Sequence, residues 1–251
     1  MPSTGPETLF SLCGFRVSNT LLATLVVDIV LILLVVLVRR RLSLNPGKLQ
    51  AVFEGVVEYL RNITEQVAGG RTTMIFPWVA IFFLYVVLSN LIGLLPGFGT
   101  IGFYHAAGGF FQARLPDIPL LHVSTSDLNL TLGLAIVSVI ATNVISIRTI
   151  GVKMYLKRFF ALNPLLLFVG ILELLQEFTK LVTFSFRLFG NISAGEMVLG
   201  TMSSILAFLV PVPFLAFELL VAVIQGLVFA LLTMAFMTML TEPHHTEESS
   251  K

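Results

Sequence analysis

Apolar residues run in blocks of about 20 along most of the chain, the length at which a helix crosses a hydrocarbon core of about 30 Å. The first block is residues 21–38, and Arg39, Arg40 and Arg41 follow it. Residues 1–20 carry no basic n-region, and an arginine cluster that follows the block rather than precedes it argues against a cleaved signal peptide. That order places residues 1–20 outside and the arginines in the cytoplasm. Asp28 interrupts this block and reads as a carboxyl beside a polar neighbour or water. Residues 46–67 follow a different pattern. Leu49, Val52, Phe53, Val56, Val57, Leu60 and Ile63 recur at three-and-four spacing, with Lys48, Glu54, Glu58, Arg61 and Glu65 largely elsewhere. That spacing predicts an amphipathic helix lying on the cytoplasmic interface. Pro46 suits its start and Gly69-Gly70 its end.

Residues 76–95 form a second span, with Trp78 near the interface, Asn90 toward the outer end and Pro96-Gly97 as its stop. An outer loop rich in Gly and Pro covers 96–126. A third span covers 128–147, where Ser126 or Asp127 can cap the helix start. Arg148, Lys153, Lys157 and Arg158 follow on the cytoplasmic side. From 165 to 210 no strong breaker occurs, and Pro211 and Pro213 then separate this run from 214–240. A helix of about 45 residues extends about 65 Å, far more than the hydrocarbon core. The expected fold is therefore an all-α integral membrane protein. It has about five crossings, one interfacial amphipathic helix, a long oblique C-terminal helical hairpin and a cytoplasmic tail at 241–251, all in one membrane domain.

Composition agrees with this pattern. Of 251 residues, 56% are hydrophobic and only 12% charged, about half the share of a soluble domain. A net charge of +1 gives no case for nucleic-acid binding. The single cysteine, Cys13, excludes an intrachain disulfide and a Cys-rich metal site. His244 and His245 stand in the polar tail, and no metal site is expected. The chain shows no Gly-rich phosphate loop and no soluble stretch for a nucleotide domain, so no cofactor is expected.

The candidate chemistry lies in FSFRLFGNISAGE, residues 184–196. Arg187 stands inside an apolar run, where an ionised side chain costs about 2.5–3.5 kcal/mol on insertion scales. Its guanidinium cannot escape that cost by losing a proton. At 3.6 residues per turn, Glu173, Lys180 and Arg187 share one stripe and Asn191 lies near it, while Glu196 points to the opposite side. On the returning helix, Glu218 and Gln225 share a face. Carboxyls offset from a fixed cation suit proton or ion translocation. The other reading is an internal ion pair, Arg187 with Glu173 or Glu196, that holds the bundle together. Gly190, Gly195 and Gly200 allow close helix approach.

At RLFGNISAGE the sequence resembles the a subunit of the membrane sector of F-type ATP synthases. NPGKLQAVFEGVVEYL (45–60), SNLIGLLPGF (89–98), SDLNLTLGLA (126–135), residues 172–200 and FELLVAVIQGLVFALLT (217–233) carry the likeness further. The resemblance implies a non-catalytic stator subunit with two offset half-channels. These deliver ions to, and remove them from, a rotating ring of c subunits, coupling ion flow to ATP synthesis. It puts Arg187 between the half-channels. Asn191, Glu196, Glu218 and Gln225 fall on the outer path, Glu173 on the cytoplasmic path, and Asn90, Asp127 and Asn129 near the outer entrance. Glu218 replaces a histidine found in some members, and Gly93 an aspartate. The implied partners are the c ring, peripheral-stalk b subunits, other ATP synthase subunits and membrane lipid. The implied location is a bacterial plasma (inner) membrane, with the thylakoid as alternative. Two other functions remain for comparison: a self-contained ion channel or secondary transporter, and a structural assembly subunit.

Overall fold

The computed structural model describes residues 8–12, 15–40, 42, 47–95, 102–103, 118–119, 124–159, 164–205 and 211–241. Helices dominate these residues. The chain opens with an antiparallel pair, β1 (Thr8–Leu12) and β2 (Phe15–Ser18), which leads directly into α1 (Asn19–Arg40). α2 (Lys48–Ala68) follows and ends where Gly69 adopts φ +53°, a conformation that disfavours side chains. One tight turn then starts α3 (Thr72–Gly93). A two-residue pair, β3 (Gly102–Phe103) with β4 (Ile118–Pro119), lies in the segment expected as the outer loop. A tight turn at Ser124–Ser126 introduces α4 (Leu128–Ile150). After Gly151 come α5 (Val152–Phe159), α6 (Pro164–Ile205) and α7 (Pro211–Thr241).

Four described stretches are long and apolar enough to cross a membrane: 19–40, 50–93, 128–150 and 212–241. α6 is not among them, because Glu173, Glu177, Lys180, Arg187 and Glu196 interrupt its apolar run. At 42 residues it extends about 63 Å.

Several local expectations change. Pro211 and Pro213 lie inside the returning helix rather than before it. They belong to the first turn of α7, where the missing N–H of a proline has no helical acceptor to lose. The basic segment expected as a plain loop contains α5, and Tyr155 Oη on it donates to Asn143 Oδ1 at 2.9 Å. On α2 the inward stripe is Leu60, Thr64 and Ala68, against α3 and α7, whereas Val52 and Tyr59 are exposed. The apolar stripe of α2 is wider than the surface its neighbours cover. Pro46, the remainder of 96–123 and the tail at 242–251 lie outside the described residues.

The core forms where α3, α4, α6 and α7 meet. Phe229 of α7 has its ring 5.6 Å from Phe82 of α3 and 4.8 Å from Phe184 of α6. Polar bonds also tie the helices. Ser138 and Thr233 hydroxyls are 3.0 Å apart, and Ser146 donates to the Leu240 carbonyl at 2.7 Å. Gly226 brings α7 onto the backbone of α3. A Cβ there would strike Val87 Cγ2 and come within 3.3 Å of both the Phe83 carbonyl and the Val87 nitrogen. This close approach explains a glycine in the middle of a helix, where it otherwise costs about 1 kcal/mol.

Candidate functional site

α6 and α7 run antiparallel, with Asn191 opposite Gln225, Phe184 opposite Phe229 and Lys180 opposite Phe236. This register stacks the polar residues in tiers. The outermost tier holds the carboxylates. Glu218 rests against Gly195, where the absent side chain leaves it a seat. Glu196 accepts a hydrogen bond from the Ser126 side chain and lies close enough to Glu218 for their charges to interact. The next tier inward is an amide pair, with Asn191 Nδ2 donating to Gln225 Oε1 at 2.8 Å. Arg187 stands one helical turn beyond, on the same helix.

The turn at Ser124–Ser126 touches α1, α3, α4 and α6, so it organises the outer end. Thr125 Oγ1 donates to Asn90 Oδ1 at 2.9 Å. Asp127 caps α4 by accepting from the Asn129 N–H at 2.9 Å, and its other oxygen accepts from Thr20 Oγ1 of α1 at 3.0 Å. The capping role thus falls to Asp127, while Ser126 serves the hairpin. Among the described residues, buried Asn90 Nδ2, Ser89 Oγ and Gln225 Nε2 have no hydrogen-bond partner. Buried amide donors of this kind are ordinarily satisfied, so these suit a site that water enters.

Arg187 is half-buried and makes no hydrogen bond or ion pair among the described residues. The internal pairing with Glu173 or Glu196 is therefore absent. Both carboxyls lie on the same continuous helix as Arg187, nine and 14 residues along it, which puts them out of its reach. An ion pair on that helix joins Lys180 Nζ to Glu177 Oε1 at 2.9 Å, and Lys180 also sits 4.0 Å from the centroid of the Phe236 ring.

The structure brings together Glu196, Glu218, Asn191, Gln225, Asn90 and Asp127 toward the outer end. Glu173 lies 14 residues before Arg187 on α6, about 21 Å along the axis, and is not part of that cluster. Asn129 contributes its backbone to the Asp127 cap, while the residue itself is exposed. Sequence reasoning did not single out Ser126 as a partner of Glu196, nor Thr125, Thr20 or Glu177. A glutamate three residues before a lysine was a readable signal for Glu177. The other contacts join segments distant in sequence.

The family model described as ATP synthase A chain matches residues 20–238, which include every one of these groups. The chain belongs to that family. ATP synthase subunit a 1 of Hahella chejuensis is 29% identical over 221 residues, covering 88% of this chain and 83% of the relative. ATP synthase subunit a, sodium ion specific, of Propionigenium modestum is 32% identical over 224 residues, covering 89% and 74%. ATP synthase subunit a of Moorella thermoacetica is 28% identical over 239 residues, covering 95% and 98%. As an ATP synthase a subunit, the chain is a multi-pass membrane protein with the ion-channel role of that subunit, and it associates with other subunits of the synthase.

Proposed function

We propose that Arg187 separates two offset half-channels and that its ionic partner is a carboxylate carried past it on a rotating c ring. The carrying observation is the unpaired guanidinium itself. It stands among apolar residues, next to an ordered tier of acids and amides, yet bonds to none of them. A cation left so in lipid is costly, and a carboxylate from another chain removes that cost. In this reading Glu196 and Glu218 exchange protons with the outer side. Asn191 and Gln225 continue the path inward, and Asn90, Asp127 and Asn129 form its entrance. Glu173 serves release on the cytoplasmic side. The chain crosses the membrane five times, with α2 on the cytoplasmic interface and the hairpin oblique. It binds no cofactor and performs no ATP chemistry, and peripheral-stalk b subunits hold it in a bacterial plasma membrane.

The test is Arg187→Lys in the intact complex. A lysine can lose its proton when desolvated and lacks the planar fork of arginine. ATP-driven proton pumping in inverted vesicles is expected to fall to background while the complex still assembles. Normal pumping would sink the assigned role. Repeating the assay with sodium varied at fixed pH identifies the coupling ion. A self-contained transporter would instead carry ions as the purified chain in liposomes.

A further inference from the structure

The turn at Ser124–Ser126 carries one side chain more than the fold needs there. Asp127 already caps α4, and Thr125 already holds Asn90. Ser126 stands between them, 5% exposed, and its side chain bonds to Glu196 of α6. Glu196 is half-buried, and its neighbours along α6 do little to fix its direction. Gly195 has no side chain, and Met197 is 59% exposed. A glutamate side chain has much rotamer freedom to lose, so its carboxyl keeps one position only where a partner holds it. Glu218 is close enough to push it away whenever both acids are ionised.

We propose that Ser126 is a positioning residue for Glu196, a role that rests on the reading of Glu196 as an outer-side proton carrier. A hydroxyl is both donor and acceptor, and its hydrogen rotates to suit. It donates to the ionised carboxylate and accepts from the O–H of the protonated acid. The bond therefore persists when Glu196 takes a proton from water and when it returns one, and the carboxyl stays beside Glu218 throughout. Ser126 keeps its own proton in both states. Its support is rigid, because Thr125 is tied to Asn90 of α3 on one side and Asp127 to Thr20 of α1 on the other. The two acids are thus placed by unlike devices: Glu218 by the empty space at Gly195, and Glu196 by a hydroxyl from the turn.

The test measures initial rates of ATP-driven acidification in inverted vesicles of the intact complex, normalised to assembled complex. Ser126→Ala is expected to slow pumping about tenfold with unchanged recovery of complex, as for a proton-transfer group displaced by about 1 Å. Ser126→Thr keeps the hydroxyl and should pump within about twofold of the parent. Glu196→Asp shortens the acid by one methylene and breaks the bond, so adding Ser126→Ala to it should slow pumping by less than about twofold more. Where Glu196→Asp alone is already at background, the threonine variant decides: pumping as slow as in Ser126→Ala overturns the proposal. A Ser126→Ala rate within about twofold of the parent, a roughly tenfold fall repeated on Glu196→Asp, or a loss of complex that matches the loss of rate would each overturn it too. Glu196→Gln separates the two levels. An unchanged rate there overturns the role of Glu196 and the proposal with it, whereas a slowed Glu196→Gln beside an unaffected Ser126→Ala overturns the positioning role alone.

Discussion

Two glycines of the hairpin are filled by their neighbours in different ways, and the same small substitution separates them. A methyl group added at Gly195 would overlap the Glu218 carboxyl, with Oε1, Cδ and Oε2 its three nearest neighbours. All three atoms are the end of a flexible side chain. Glu218 can rotate aside for about 0.5–1.5 kcal/mol, the cost of leaving a preferred rotamer. Gly195→Ala is therefore expected to leave assembly and thermal stability of the complex nearly unchanged. The displaced carboxyl, however, no longer stands beside Glu196. Proton exchange requires groups within hydrogen-bond reach, and a misplacement of about 1 Å can slow a positioned reaction about 100-fold. Initial rates of ATP-driven acidification in inverted vesicles, normalised to assembled complex, should fall at least about tenfold on that basis. Adding Glu218→Asp withdraws the carboxyl by one methylene and should recover part of the rate in the Gly195→Ala background. An unchanged rate in Gly195→Ala would refute the role of that seat. A fall in complex recovery equal to the fall in rate would refute it too, by showing that the seat is structural.

The corresponding change at Gly226 meets backbone atoms of α3, which cannot rotate away. Gly226→Ala should thus destabilise the complex by about 1–3 kcal/mol, read as a lower midpoint in detergent-resistant assembly. Glu177→Ala removes the carboxylate 2.9 Å from buried Lys180 and should cost about 1.5–3 kcal/mol, the worth of a hydrogen bond to a charged group, whereas Glu177→Gln with Lys180→Met should recover most of the loss in the same assay. Asp127→Ala removes both the α4 cap and the bond to Thr20, and a loss of about 1–2 kcal/mol is expected; a change below about 0.3 kcal/mol would contradict the cap assignment. Gln225→Leu removes the acceptor of Asn191 and should slow pumping with little loss of assembled complex, checked by the same vesicle assay beside blue-native electrophoresis.

Helices and their polar interruptions were readable because they depend on local periodicity. A run of apolar residues predicts α1, α3, α4 and α7 with no knowledge of what they touch. Arg187 was conspicuous for the same reason, since an arginine in such a run has no local explanation. Its freedom from a partner elsewhere in the chain was not readable. Spacing along a continuous α6 keeps both glutamates out of its reach, nine and 14 residues away, but only the register of α6 on its neighbours decides that Glu196 turns to Ser126. The seat of Glu218 at Gly195 depends on the same register, because the two residues belong to different helices. α5 was hidden by charge, since its basic residues resemble a solvated loop as much as a helix face. The two prolines of α7 move the start of that helix from 214 to 211 for a simpler reason. Their breaking effect applies to a helix interior, and they stand in its first turn.

The crossing at Gly226 has a mechanical consequence. Most helix contacts are cushioned by side chains, which yield by changing rotamer. Here the space a side chain would fill is taken by a methyl of Val87, with the Phe83 carbonyl and the Val87 nitrogen next nearest. Such a joint has almost no compliance. A tangential load on the exposed side of the hairpin would pass through it into α3 with little local deformation. The hairpin is thereby braced like a beam on a hard bearing, and the tiers of acids and amides keep their spacing under load.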